Sequence, residues 1–152
     1  LPATTLANKC YYLMFSGCES LTTAPDLPAT KLAEYCYQAM FYDCTSLTTA
    51  PKLPANTLAN FCYYSMFSGC TSLTRAPDLP AKTLANGCYS YMFKNCSSLN
   101  YIKMLATDIS ADSCLSSWVL NVSATGTFVK SSSATWDVIA SGVPSEWTVI
   151  TE

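Results

Sequence analysis

Apolar side chains recur along this chain at intervals of 26 residues, and the polar residues between them repeat with them. The repeat is clearest in one column of leucines and two columns of cysteines: Leu1, Leu27, Leu53, Leu79; Cys10, Cys36, Cys62, Cys88, Cys114; and Cys18, Cys44, Cys70, Cys96. A period of roughly 20 to 50 residues with fixed apolar positions is typical of a solenoid, whose units bury their apolar faces against one another. The pattern therefore predicts a stack of similar units.

Four complete units and one degenerate unit account for most of the chain. The complete units are residues 1–26, 27–52, 53–78 and 79–104. The fifth, 105–130, keeps Cys114, but Trp118 stands where earlier units have methionine. Terminal repeats that depart from the consensus are typical of caps. We therefore expect residues 131–152 to form a C-terminal capping segment that, with the tryptophans, covers the end of the core. Within it, the sequence from Trp147 to Ile150 predicts a last strand.

Each unit combines a helical pattern with a short strand pattern. Leu6, Cys10 and Met14 are spaced as the apolar stripe of a short helix, and Gly17 suits its end. The Thr-rich stretch that follows favours a strand, which Pro25 would stop. The expected fold is a right-handed α/β solenoid of the leucine-rich-repeat kind, with a parallel sheet on one side and short helices on the other.

The repeat resembles that of a known group. The segments M-F-x-x-C-x-S-L-T-x-A-P and L-P-A-T-T-L-A-x-x-C-Y are similar to the repeats of the BspA-like leucine-rich-repeat surface proteins, in the Cys-rich variety of gut bacteria. The ending at residues 142–149 is similar to that group's C-terminal segment. The resemblance implies secretion or display on the cell surface and, for some members, adhesion to host proteins. It offers no catalytic residues. Because the chain begins inside a repeat, we expect a fragment that lacks its signal sequence.

Composition narrows the function further. The formal net charge is −2, only 12% of residues are charged, and there is no basic run, which argues against nucleic acid. No apolar run approaches the roughly 18 residues of a membrane span. The chain has no histidine, so Cys–His or Ser–His–Asp catalysis is not available to it. We expect a non-enzymatic monomer without a cofactor.

The nine cysteines leave two interpretations open. Their spacing of eight within a unit does not match the ligand pattern of a zinc site, so we expect no metal. Disulfides suit an extracellular location, and neighbouring units lie within bridging distance. Alternatively, the cysteines are buried free thiols that act as small apolar side chains.

The strand face is the predicted binding surface. With Leu21, Leu47, Leu73 and Leu99 pointing into the core, the next column forms an outward ladder: Thr22, Thr48, Thr74 and Asn100. The column after it varies toward the C-terminal end: Thr23, Thr49, Arg75 and Tyr101. Solenoids commonly bind ligands on such a sheet face, and Arg and Tyr often anchor interfaces. The alternative is that Thr is simply a good exposed strand residue.

A column of tyrosines is the other surface candidate: Tyr11, Tyr37, Tyr63 and Tyr89. Exposed aromatic rows can stack on sugar rings. The alternative is amphipathic packing between the predicted helices, with the rings inside and the hydroxyls toward water.

Together these features predict a secreted or surface-displayed module that binds a host protein or glycan in the manner of an adhesin. The alternative is a structural spacer with no ligand of its own.

Overall fold

The chain folds into a stack of similar units that contains no α-helix and only three short strands. The computed structural model describes residues 1–152. The strands are β1 (Tyr101–Met104), β2 (Thr127–Lys130) and β3 (Thr148–Thr151). They form one parallel sheet in the order β1-β2-β3, with equivalent residues of successive units side by side. β3 confirms the strand predicted near the C-terminus.

The predicted helices are absent, and the α/β leucine-rich-repeat fold with helices on one side is therefore wrong. In their place each unit has a ten-residue run of turns, called here a turn segment: residues 8–17, 34–43, 60–69, 86–95 and 112–121. The second, sixth and tenth residues of every turn segment have positive φ, for example Lys9 at 58°, Leu13 at 56° and Gly17 at 72°. A left-handed residue at every fourth position interrupts the α-helix.

Hydrogen bonds within a turn segment alternate between local and neighbouring partners. Even-numbered residues of the first segment donate to the carbonyl three residues back, as Tyr12 does to Lys9 at 3.2 Å. Odd-numbered residues donate to the next unit, as Tyr11 does to Cys36 at 3.0 Å. The junction of the first two segments has five such bonds between units, donated by Lys9, Tyr11, Leu13, Phe15 and Gly17.

This pairing between units explains why helices do not form. A helix of this length is marginal in isolation, because nucleation is costly and few bonds repay it. A non-glycine residue in the left-handed region costs roughly 1–2 kcal/mol, and a net backbone hydrogen bond returns about 0.5–1.5 kcal/mol. Those two contributions are similar, so the apolar burial that stacking creates favours the turn segments.

Prolines limit the sheet to the C-terminal end of the stack. The predicted strands of the first three units are reduced to isolated parallel bridges, such as Thr23 with Thr49. Pro25, Pro51 and Pro77 stand two residues after these bridge positions, and proline cannot donate to a ladder. The chain after Tyr101 reads Ile-Lys-Met without proline, and there β1 forms.

The core is one continuous cluster that runs from Leu27 to Trp147. Its columns repeat from unit to unit, and phenylalanine rings stack along it with centroids 5.5 Å apart for Phe15–Phe41 and for Phe41–Phe67. Unit 1 contributes no fully buried residue, and its Tyr12, Leu13 and Met14 are exposed.

Tryptophans lie at the C-terminal end of the core. Trp118 is fully buried and packs between Phe93 and Phe128, so the aromatic column continues into the last units. Each indole N–H donates to a backbone carbonyl of another segment: Trp118 to Ser141, Trp136 to Ala106 and Trp147 to Ser123, at 2.8, 2.9 and 2.8 Å. Residues 131–152 are thereby tied to the preceding units.

Candidate functional site

A groove of about 550 Å³ lies on the strand side of the stack. One wall is the chain from Thr48 to Pro54, and the other runs from Arg75 to Pro80. A second concavity of about 430 Å³ continues it between Asn56–Leu58 and Pro80–Ala85, and Pro80 lines both. The volume of the first falls in the range of roughly 300–1,000 Å³ that is usual for ligand sites.

The groove exists because two successive units do not pair there. At the preceding junction, Thr48 donates to the carbonyl of Thr22 at 2.9 Å and Ala24 donates to that of Thr49 at 3.0 Å. At the following junction, the equivalent bonds are Asn100 to Thr74 and Ala76 to Tyr101, both 3.0 Å.

At the junction between them, residues 46–60 make no backbone hydrogen bond to residues 73–85. The turn segments on either side of this gap remain paired, for example Phe61 to Asn86 at 2.8 Å. The units are therefore joined on the turn side and separated on the strand side. The tyrosine rings show the same opening, because Tyr63 and Tyr89 have the widest spacing of their column, 6.1 Å, and an angle of 16°.

Three charged residues line the groove. Arg75 stacks its guanidinium 3.7 Å from the ring centroid of Tyr101, and it pairs with Asp78 at 3.4 Å. Both members of that pair are more than half exposed, so the ion pair itself adds little stability. Lys52 is the third, and it occupies the position at which units 1 and 3 have aspartate. The groove thus holds two cations and one anion.

The predicted strand-face residues divide between the groove and its surroundings. Leu47, Leu73 and Leu99 are fully buried and Leu21 is half-buried. The predicted outward column is exposed: Thr22, Thr48, Thr74 and Asn100. Three predicted site residues line the groove: Thr48, Thr49 and Arg75. The others lie outside its lining: Thr22, Thr23, Thr74, Asn100 and Tyr101. Tyr101 still contributes indirectly, because it supports Arg75.

The prediction missed the second half of the groove. Lys52, Asp78 and the surrounding prolines follow the Thr columns in sequence, outside the predicted binding surface. The replacement of aspartate by Lys52 within the repeat was the one signal that could have singled them out.

All nine cysteines are free thiols. Cys10 and Cys18 of unit 1 are exposed, and the other seven are buried. Burial raises the pKa of Cys36 to about 11 and that of Cys96 to about 12, which keeps both thiols protonated at neutral pH. No group of three or more His, Cys, Asp or Glu side chains is arranged to hold a metal ion.

The tyrosine column belongs to the core. Tyr37, Tyr63 and Tyr89 are at most 1% exposed, and their rings stack nearly parallel. The expectation that the hydroxyls face water is wrong for Tyr89, whose hydroxyl is buried and has no hydrogen-bond partner. The column therefore offers no surface for sugar stacking.

No protein family model, curated protein or solved structure matches this chain. The structure has no helix that could span a membrane. The function is therefore argued from the chemistry of the groove.

Proposed function

We propose that this chain is a non-enzymatic binding module that recognises an anionic segment of an extracellular protein or glycan in the groove between residues 48–54 and 75–80. The observation that carries the proposal is the groove itself, which places two cations beside a concavity of ligand size. The resemblance of the repeat to BspA-like surface proteins supports a secreted or surface location and an adhesin-like role.

Local charge supports an anionic ligand. The whole chain has a net charge of −2, but Lys52, Arg75 and Asp78 give the groove two positive charges and one negative. A positive site on a negatively charged protein steers anionic ligands to that site rather than to the remaining surface.

The setting of Arg75 supports a role as anchor. Its guanidinium already stacks on Tyr101 and is paired with Asp78, so its position is restricted before a ligand arrives. A side chain held in this way loses less conformational entropy on binding, and a planar guanidinium can bind a carboxylate or sulfate through two parallel hydrogen bonds.

The test is a binding screen of the chain against extracellular host proteins and against neutral and sulfated glycans. Lys52→Asp restores the residue found in units 1 and 3 and reverses the groove's charge. We expect Lys52→Asp and Arg75→Ala each to weaken a hit about tenfold or more. Lys9→Asp makes the same charge change on a turn segment, and it should leave binding unchanged.

Three outcomes contradict the proposal. Equal loss of binding in all three variants would indicate a general charge effect rather than a site. Absence of any ligand across the screen would favour the structural spacer, and turnover of any substrate would contradict the non-enzymatic role.

A further inference from the structure

We propose that the ligand of this groove is an extended peptide whose main chain hydrogen-bonds to the unpaired backbone of the groove walls. This inference rests on the proposed function and narrows its ligand from any anionic segment to a polypeptide in strand conformation.

Four backbone groups are left unpaired where the two units separate. On one wall these are the carbonyl of Thr48 and the N–H of Ala50. On the other they are the carbonyl of Arg75 and the N–H of Thr74, the residue that directly precedes the lining of that wall. None of the four makes a hydrogen bond within the protein. Backbone donors and acceptors without partners are costly unless water or a ligand satisfies them.

The equivalent groups elsewhere show what these four are arranged to bind. One junction earlier, the carbonyl of Thr22 and the N–H of Ala24 bind a parallel segment of chain. One junction later, the carbonyl of Thr74 and the N–H of Ala76 do the same. The groove walls therefore present the donor and acceptor pattern that this stack uses to pair with extended polypeptide.

Some proteins bind an extended peptide by adding it as a strand to a sheet, and the groove has the backbone and side-chain groups that this mode of binding uses. Main-chain hydrogen bonds supply affinity, and pockets for alternate side chains supply specificity. A peptide along the groove can donate to the carbonyls of Thr48 and Arg75 and accept from the amides of Ala50 and Thr74. Lys52 and Arg75 then favour an acidic side chain on that peptide.

Hydrogen exchange in the free protein tests whether the amides of Ala50 and Thr74 are unpaired. Amides without a partner exchange faster than bonded amides of similar depth. We expect the amide of Ala50 to exchange faster than that of Ala24, which occupies the same repeat position, is also half-buried and is bonded to Thr49. Thr74 should likewise exchange faster than Asn100. Equal protection within these pairs contradicts the gap.

The ligand is tested with a library of linear peptides of about seven residues, long enough for one added strand. We expect selection of acidic peptides that slow exchange at Ala50 and Thr74. Thr74→Pro removes an amide that the protein itself does not use, and it should weaken binding about tenfold or more. Thr22→Pro is the matched control, because its amide is also unpaired and stands at the same repeat position but belongs to unit 1 and not to the open junction.

Should Thr74→Pro fail to fold, the selected peptide with N-methyl groups at alternate amides makes the same test on the unaltered protein. Methylation of either set of alternate amides should weaken binding, because successive amides of a strand between the walls face Thr48 and Arg75 in turn. Loss with only one set would place the peptide on a single edge and contradict the inference. Loss of binding with Thr22→Pro but not Thr74→Pro would place the peptide on an outer edge and overturn the inference.

The two proposals fail separately. The chain could bind a glycan, lose that binding with Lys52→Asp, and select no peptide. That result leaves the proposed function intact and overturns the peptide inference. No ligand in either screen overturns both.

Discussion

The thiol of Cys70 donates a hydrogen bond to the carbonyl of Phe41 across 3.1 Å, from one unit to the one before it. The same bond joins Cys44 to Phe15 and Cys96 to Phe67, both at 3.0 Å. Each of these carbonyls also accepts the backbone amide three residues later in its own unit. The second cysteine column therefore satisfies a buried acceptor as well as filling space.

Replacing Cys70 with alanine removes that donor and leaves a small cavity. Cys70 is fully buried, so we expect Cys70→Ala to lower the free energy of unfolding by about 2 kcal/mol. Urea denaturation of the purified chain measures this change. Cys18→Ala is the control, because Cys18 stands in the same column but is exposed and bonds to no carbonyl. A loss at position 18 as large as that at position 70 would contradict this role.

Thiol reactivity tests the redox state of the cysteines. Cys10 and Cys18 are the exposed thiols among nine, so a thiol reagent should label two cysteines rapidly in the folded protein. All nine should react after denaturation without a reductant. If fewer than nine thiols react after denaturation without reductant, disulfides have formed and the disulfide interpretation of the cysteines is correct.

The buried thiols predict that stability falls at alkaline pH. Burial raises the pKa of Cys36 and Cys44 to about 11 and that of Cys88 to about 12, from an ordinary value of 9.0. Above pH 9 the unfolded chain releases these protons while the folded chain retains them. Their stabilisation is therefore complete below about pH 9 and is lost as the pH rises toward 11 and 12, by about 1.4 kcal/mol per pH unit for each thiol.

Urea midpoints at pH 7, 9 and 10.5 measure this loss. Cys36→Ala removes one titrating thiol, and its stability should fall less steeply between pH 9 and 10.5 than that of the unaltered chain. A midpoint that stays constant over this interval would falsify the linkage.

The helix prediction failed because the apolar spacing does not distinguish a helix from a run of turns. Leu6, Cys10 and Met14 recur at every fourth residue, as a helical stripe does approximately and as a four-residue turn repeat does without drift. Glycine, asparagine or aspartate marks one left-handed position of each unit, as Gly17, Asp43 and Asn95 show. Tyr35 and Phe61 are also left-handed, and no local preference of those residues signals it.

The groove was predictable only in part. Period-two alternation placed Thr48 on the outside, because its neighbour Leu47 had to be buried. The same rule would turn Arg75 inward with Leu73, whereas Arg75 is exposed. Nothing in the sequence indicates which junction opens, since the units on its two sides carry nearly the same residues. A junction opens where the backbone groups of two successive units fail to form hydrogen bonds, and neither composition nor periodicity determines where that happens.

The backbone of Gly87 lies so close to the ring of Phe61 that no residue with a Cβ fits there. Its φ is +57°, and a Cβ there would meet the ring of Phe61, which stacks on Tyr35 at 4.9 Å. We expect Gly87→Ala to lower the free energy of unfolding by about 2–4 kcal/mol, combining backbone strain with displacement of the ring. Gly17→Ala has a similar φ of +72° but open space around the Cβ, so about 1–2 kcal/mol of strain is expected there. Thermal denaturation of both variants measures the difference, and equal losses would contradict the packing argument.

The buried hydroxyl of Tyr89 destabilises the folded chain. The residue is fully buried, its hydroxyl has no partner, and the next unit has Leu115 at the same position. Tyr89→Phe keeps the ring against Tyr63 and removes the unsatisfied group, so we expect the free energy of unfolding to rise by up to about 1 kcal/mol. Tyr12→Phe, at an exposed position, should change it little. Destabilisation of Tyr89→Phe by about 1 kcal/mol or more would mean that the hydroxyl is hydrogen-bonded in solution, and that a water or a neighbouring carbonyl reaches the end of the column.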